Sequence, residues 1–260
     1  MTGRIGLLAR RAPDRALLPL SEWWWDRSNW CRDAGSLGIR SCLVLAPHPD
    51  DETLGCGGTI SSLVRSGVEV RLVIATDGNL GGTGAPRAIV AENRSNELIS
   101  AASELRLTAD RLVRWGLPDG DLRGQIDRLS SLVAATLDEW SPDCLMVTCR
   151  LDPHPDHRAL ARAVAAEAAR RGIRLMEYPI WLRRWPARAL SSVMTSSADR
   201  RYARNLSRRV KVGLDPLDLA AKQAALACYR SQIDSGILDE RFLRMFRQPF
   251  ELFVVSEPPY

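Results

Sequence analysis

"SCLVLAPHPDDETLGCGGTISSLVRSGVEVRLVIATDG", residues 41–78, decides the fold. "SCLVLAP" is a short, continuous apolar run, the pattern of a strand buried on both faces. "GTISSLVRSG" carries helical spacing up to Gly67, and "VEVRLVIATDG" is a second apolar run closed by Asp77 and Gly78. A strand, a helix and a strand in this order predict a βαβ unit, with parallel strands and the helix packed across them.

The alternation continues along the chain. After the glycine-rich "GNLGGTGAP", residues 87–107 read as a helix with Ile89, Leu98, Ala102 and Leu105 on one side. "RLVRWG" is a third strand, residues 124–140 a helix, "DCLMVTC" a fourth strand, residues 157–171 a helix, and "IRLMEYPIW" a fifth strand. Beyond Trp181 come a basic linker, a strand "RRVKVGL", a helix from Asp215 to about Gln232 and a closing strand "FELFVVS". This pattern predicts an α/β fold with a Rossmann-like, mostly parallel sheet and helices on both faces. No Pro-, Gly- or Ser-rich linker and no fixed-period repeat divides it. One domain is expected over residues 41–260, including a C-terminal extension, after an N-terminal arm at residues 1–40.

Composition narrows the function. Of 260 residues, 45% are apolar and 26% charged, an ordinary globular balance. The net charge of +5 comes from scattered arginines, with Lys211 and Lys222 the only lysines. The densest basic stretch, residues 198–212, reads as a solvated face, and without a nucleic-acid motif no nucleic-acid partner is expected. Six cysteines without a C-x-x-C spacing behave as small apolar residues, and no run is long and apolar enough to span a membrane. A cytoplasmic protein is expected. "SEWWWDRSNWC" places four of the eight tryptophans, Trp23, Trp24, Trp25 and Trp30, together. An arm packed on the domain is the expectation, with a substrate rim, an oligomer contact and a peripheral membrane anchor left open.

The three histidines, His48, His154 and His157, all lie in two stretches that share the tetrapeptide PHPD. Both stretches, and the Asp77 loop, follow strands directly, and in open parallel sheets ligands bind beyond the carboxyl ends of the strands. A catalytic zinc ion needs three protein ligands. The first loop offers His48, Asp50, Asp51 and Glu52, and the second offers Asp152, His154, Asp156 and His157. One histidine beside a proline ordinarily caps a loop; two such loops holding the whole histidine supply point to metal. Three consecutive acids at a strand end also ask for a cation. "GCGG" fails the G-x-G-x-x-G spacing of a dinucleotide loop, so its glycines are expected to turn the chain tightly from the metal loop into the helix.

"APHPDDETLGCGG" and "HPDHRAL" resemble the LmbE-like (PIG-L) zinc deacetylases, which remove N-acetyl groups from glucosamine-containing substrates. "ATDGNLGG", "RSNELISAASELRL", "GLPDGDL" and "KQAALACYRSQ" extend the resemblance over about Ser41 to Gln232. It implies zinc, with iron(II) as an alternative, held by His48, Asp51 and His157. It further implies Asp50 as general base and His154 as the group assisting the tetrahedral intermediate and leaving amine. Asp156 is expected to hold the His154 ring charged. Arg94 and Asp119 are similar to sugar-contacting positions, against the alternatives of an Arg94–Glu97 salt bridge and a plain P-D-G turn. The implied substrate is an amino-sugar small molecule or glycolipid. Two other classes compete: a mononuclear Fe(II) oxygenase, since two histidines and a carboxylate form its facial triad, and a sugar- or lipid-binding module with a structural metal. The strand–helix alternation opposes the first and the spare Asp50 the second.

Overall fold

The structure, a computed structural model, describes residues 31–81, 84–184 and 209–256. The Trp23–Trp30 arm and most of the basic 198–212 stretch lie outside the described residues. In chain order the elements are β1 (Cys31–Asp33), β2 (Ser41–Ala46), α1 (Asp51–Arg65), β3 (Glu69–Thr76), α2 (Arg87–Glu104) and β4 (Leu112–Leu117). There follow α3 (Ile126–Glu139), β5 (Cys144–Thr148), α4 (Pro155–Arg171), β6 (Arg174–Tyr178), α5 (Trp181–Arg184) and β7 (Arg209–Gly213). The chain continues with α6 (Pro216–Cys228), α7 (Arg230–Asp234), α8 (Glu240–Arg244) and β8 (Phe250–Ser256).

Eight strands form one sheet in the order β1-β7-β8-β6-β5-β2-β3-β4. Only β8 runs antiparallel to its neighbours, β6 and β7. β1 pairs with β7, so the sheet takes in residues that the sequence reading leaves in the arm. The central strands carry apolar residues on both faces because both are covered. Cys42, Val44 and Ala46 pack under α1, α2 and α6, while Leu43, Leu45, Leu145 and Val147 pack under α3 and α4.

Two features of the helices differ from the sequence reading. In α2 the buried face is Val90, Arg94, Leu98, Ala101 and Ala102, whereas Ile89 is 47% exposed. Leu98, Ala102 and Leu105 are buried as the sequence predicts, but toward the start of the helix Val90 and Arg94, not Ile89, continue the stripe. The second difference is at Gly55, Gly57 and Gly58, which lie inside α1 rather than in a turn before it. A Cβ at Gly55 would stand 2.0 Å from the Tyr178 ring, and one at Gly58 would stand 2.4 Å from Leu214. These two glycines serve close helix packing, not a turn.

From β2 the chain passes outward through β3 to β4, then returns to β5 on the other side of β2 and goes on to β6. The winding direction reverses between β2 and β5, and an open parallel sheet has its ligand crevice at that reversal, beyond the strands' carboxyl ends. The loops after β2 and β5 are the two PHPD segments. Among the described residues, no helix is long and apolar enough to cross a membrane.

Candidate metal centre

His48, Asp50 and Asp51 sit where β2 gives way to α1. Asp50 is the N-terminal cap residue of α1, with φ of 123°, a conformation that costs a non-glycine residue on the order of 1–3 kcal/mol. Its surroundings hold it there. Its amide donates to Glu52 Oε2 at 3.1 Å, its carbonyl accepts from Leu54 N at 2.8 Å, and Arg94 Nη2 donates to its Oδ2 at 2.9 Å. Glu52 is anchored in turn by the Thr53 and Tyr229 hydroxyls.

At the other loop His154 caps α4, and Pro155 occupies the first turn, where its missing N–H costs nothing. His157 follows one turn later and is 1% exposed. The three imidazoles meet, with ring centroids 4.7 to 5.4 Å apart. Between two of them lies a carboxylate oxygen. Asp51 Oδ2 is 3.1 Å from His48 Nδ1 and 3.2 Å from His157 Nε2.

The far nitrogen of each of these rings also faces carboxylate. His48 Nε2 is 3.1 Å from Asp119 Oδ1 and 3.4 Å from Asp156 Oδ2, and His157 Nδ1 is 3.4 Å from Asp152 Oδ1. Asp152 is fixed by the amides of His154, Ile180 and Leu182, at 3.1 to 3.2 Å. Metal-bound histidines characteristically carry such a carboxylate on the nitrogen turned away from the ion. Asp152 belonged to the acids offered by the second loop, but its place behind His157 depends on β6–α5 amides that no local motif reveals.

The electrostatics follow from burial and this crowding. Although burial opposes charge, Asp119, Asp156 and Asp51 raise His48 well above its ordinary pKa, and Asp51 and Asp152 raise His157 to about 9. Burial likewise favours neutral Asp51, yet His157 and His48 hold it far below the carboxylate range. The acids thus draw positive charge to both rings, from a proton or from a metal. Asp50 behaves differently, because burial pushes its carboxyl up to about 7 against the pull of Arg94.

Three expectations change on this geometry. Asp156 does not hold the His154 ring: its carboxylate accepts from the amides of Gly120 and Leu122 and faces His48. His154 Nδ1 instead accepts the Asp156 amide at 3.3 Å, so its proton belongs on Nε2. Burial, and then the neighbouring His157 and His48, lower His154 to about 3, so it is a neutral ring. Arg94 is 4% exposed and bonds Asp50, Pro49 O and Gly78 O, meeting neither Glu97 nor open space. Glu97 accepts from Ser231 N and Oγ. Asp119 is more than a turn residue, since it accepts from Leu80 N at 2.7 Å while facing His48.

The family described as PIG-L: GlcNAc-PI de-N-acetylase matches residues 43–168, the span from β2 to α4 that carries all of these loops. These residues resemble a PIG-L domain. A probable N-acetyl-alpha-D-glucosaminyl L-malate deacetylase 2 of Bacillus cereus is 31% identical over 138 residues, which is 50% of this chain and 62% of that protein. A 1D-myo-inositol 2-acetamido-2-deoxy-alpha-D-glucopyranoside deacetylase of Mycobacterium sp. is 32% identical over 156 residues, 49% of this chain and 50% of that one. The chain therefore spans roughly half the length of these curated relatives. The solved N,N'-diacetylchitobiose deacetylase of Pyrococcus horikoshii shares the fold, with a TM-score of 0.62 over 95% of both chains at 21% identity. The matched residues thus supply one half of the sheet, β5-β2-β3-β4, and β6, β8, β7 and β1 make the other.

Proposed function

We propose that this protein is a metal-dependent hydrolase that removes the N-acetyl group from an amino-sugar conjugate. One observation carries the proposal: two buried imidazoles turn one nitrogen each to Asp51 Oδ2 and the other to a separate carboxylate. That matches the donor arrangement of a histidine-and-carboxylate metal site whose rings are each backed by a further carboxylate. The fit has a second sign, because both ring nitrogens of His157 are buried and, among the described residues, make no well-aligned hydrogen bond.

Ligand atoms group in two ways here. The nitrogens of His48, His154 and His157 lie within 4.8 Å of one another, and so do donor atoms of His48, Asp119 and Asp156. Asp51 supports a third set, since its Oδ2 lies close to both His48 and His157, while His154 Nδ1 is occupied by the Asp156 amide. The ligands proposed are His48, Asp51 and His157, with zinc as the ion and iron(II) as its alternative. When bound, such an ion polarises the acetyl carbonyl and lowers the pKa of a water from roughly 15.7 to about 7.

The protein's own groups then divide the proton work. Arg94 holds Asp50 Oδ2, which leaves Oδ1 to take the proton of the attacking water. His154, with its proton on Nε2, donates a hydrogen bond to the oxyanion. The same Asp50 carboxyl, now protonated, supplies the proton that the departing amine needs. Asp119 and Asp156 keep the His48 ring oriented, and Asp119 also ties the 78–81 loop to the site through Leu80 N.

Neither competing class gains support. The ligands stand on an open, doubly wound sheet, whereas facial-triad oxygenases use a β-barrel, and a structural metal would not require Asp50 to be strained and poised beside it. A cytoplasmic setting remains part of this reading, consistent with the five free cysteines among the described residues. The test is acetate release by zinc-loaded and iron-loaded protein from N-acetylglucosaminyl conjugates of malate, inositol and a second glucosamine. Acetate from at least one is expected. Its absence from all of them, with metal bound, overturns the proposal.

A further inference from the structure

Helix α1 is broken at Cys56, whose φ of −144° and ψ of 18° are not helical. A break strands carbonyls on one side and amides on the other. In a continuous helix the Gly58 amide donates to Leu54 O, four residues back. Here Gly58 N donates to Glu251 Oε1 at 2.8 Å, Thr59 N donates to Glu251 Oε2 at 2.8 Å, and Leu54 O accepts from Lys222 Nζ at 2.8 Å. Lys222 Nζ and Glu251 Oε1 are 2.6 Å apart. An ion pair therefore stands in the place of a rung of the helix: amide to carboxylate, carboxylate to ammonium, ammonium to carbonyl.

The two charges arrive from far along the chain, Lys222 from α6 and Glu251 from β8, and each is 1% exposed. Burial lowers the Lys222 pKa, with Glu251 opposing the shift. Well-packed apolar residues generally serve stability as well as a buried ion pair does. What apolar residues lack is the ability to terminate one half-helix and start another. The half before the break, residues 51–55, carries Asp51 and follows directly on Asp50. Its far side is fixed by Gly55 lying flat against Tyr178, whose hydroxyl donates to Leu45 O at 2.9 Å.

We infer that the Lys222–Glu251 pair is a splint for the broken helix, which sets the aim of the turn bearing Asp50 and Asp51. Both are positioning residues: neither touches the candidate ligands or the base, and they act through the α1 backbone. The metal part of this inference needs only that Asp51 is a ligand; the turnover part rests on the deacetylase reading.

The double variant Lys222→Met/Glu251→Gln removes both charges together, so neither is left buried alone. It is compared with wild type by zinc competition against a chromogenic chelator, by steady-state kinetics and by thermal midpoint. Zinc affinity is expected to fall about 10–100-fold, and kcat by a similar factor with KM nearly unchanged. A lower thermal midpoint with wild-type zinc affinity and kcat would show a purely structural pair and overturn the inference. Should the double variant not be recovered folded, Glu251→Gln alone carries the test, because its one amide oxygen cannot serve Gly58 N, Thr59 N and Lys222 as a carboxylate does. Weakened zinc binding in that variant supports the splint, and wild-type binding refutes it. If wild type hydrolyses no conjugate, the deacetylase reading fails while the zinc comparison still decides the splint.

Discussion

Asp50 and Asp51 are adjacent, similarly enclosed carboxylates with opposite tendencies, and that opposition suits them to the two roles proposed for them. Asp51 faces two imidazoles and stays ionised, as a ligand must, whereas Asp50 meets one guanidinium and is pushed by burial up to about 7, where a general base is effective. Asp50→Asn keeps the shape and an oxygen for Arg94 but cannot take a proton. Turnover should fall about 10²–10⁴-fold, the usual contribution of a positioned base. Zinc content, measured by elemental analysis, should stay at the wild-type stoichiometry. Loss of zinc in step with turnover would make Asp50 a ligand instead, and undiminished turnover would remove it from the mechanism. The histidines and acids of the site were legible because their types are scarce and chemically suited to metal. The target of Arg94 was not, because its partners Pro49, Asp50 and Gly78 lie on loops 16 to 45 residues earlier in the chain, beyond the reach of any helical spacing.

At the scale of elements, α1 shows how a motif can be recognised while its local geometry is misread. A Gly-rich run after a strand suggests a turn, since glycine weakens helices by roughly 1 kcal/mol relative to alanine. The tertiary structure overrides that propensity, because the space beside Gly55 is filled by the Tyr178 ring and the space beside Gly58 by Leu214. Neither neighbour is close in sequence, so no local pattern announces them. The glycines of α1 are consequently not equivalent. Gly55→Ala should destabilise the protein by about 1–3 kcal/mol, the range for overpacking a closed core. Gly57→Ala meets nothing nearer than 3.4 Å and restores helix propensity, so its stability should match or slightly exceed wild type. Urea midpoints of the two variants check this, and equal losses would mean that the packing at Tyr178 does not control the helix. The central strands were readable because a covered sheet demands continuous apolar runs, and β8 matches "FELFVVS" to the residue, whereas the three-residue β1 is too short to carry a pattern and was left in the arm.

For the whole molecule, winding and charge meet at the same place. The reversal between β2 and β5 brings Asp50, Asp51, Glu52, Asp119, Asp152 and Asp156 around His48, His154 and His157, an excess of acid in a dry crevice. The covered sheet is independent of the ion, so chelated protein should remain folded with an unchanged far-ultraviolet circular dichroism spectrum. What changes is the identity of the balancing charge. Without metal the balance falls to protons on the histidines, and His157 is raised by Asp51 and Asp152 from its ordinary 6.5 to about 9. A base whose pKa is raised on folding contributes stability that is complete below the unfolded value and is lost as pH climbs through the folded one. The window is therefore pH 6.5 to 9, and His48, raised in the same direction, reinforces it. A bound metal removes those protons and with them this pH dependence, while its own affinity improves as protons compete less. The drop in thermal midpoint caused by a chelator should accordingly be larger at pH 9 than at pH 6.5. Taking the difference between metal-loaded and chelated samples at each pH cancels titrating groups remote from the site. A drop of equal size at both values would mean that the two histidines do not share their place with the metal, and the ligand set of His48, Asp51 and His157 would fall with it.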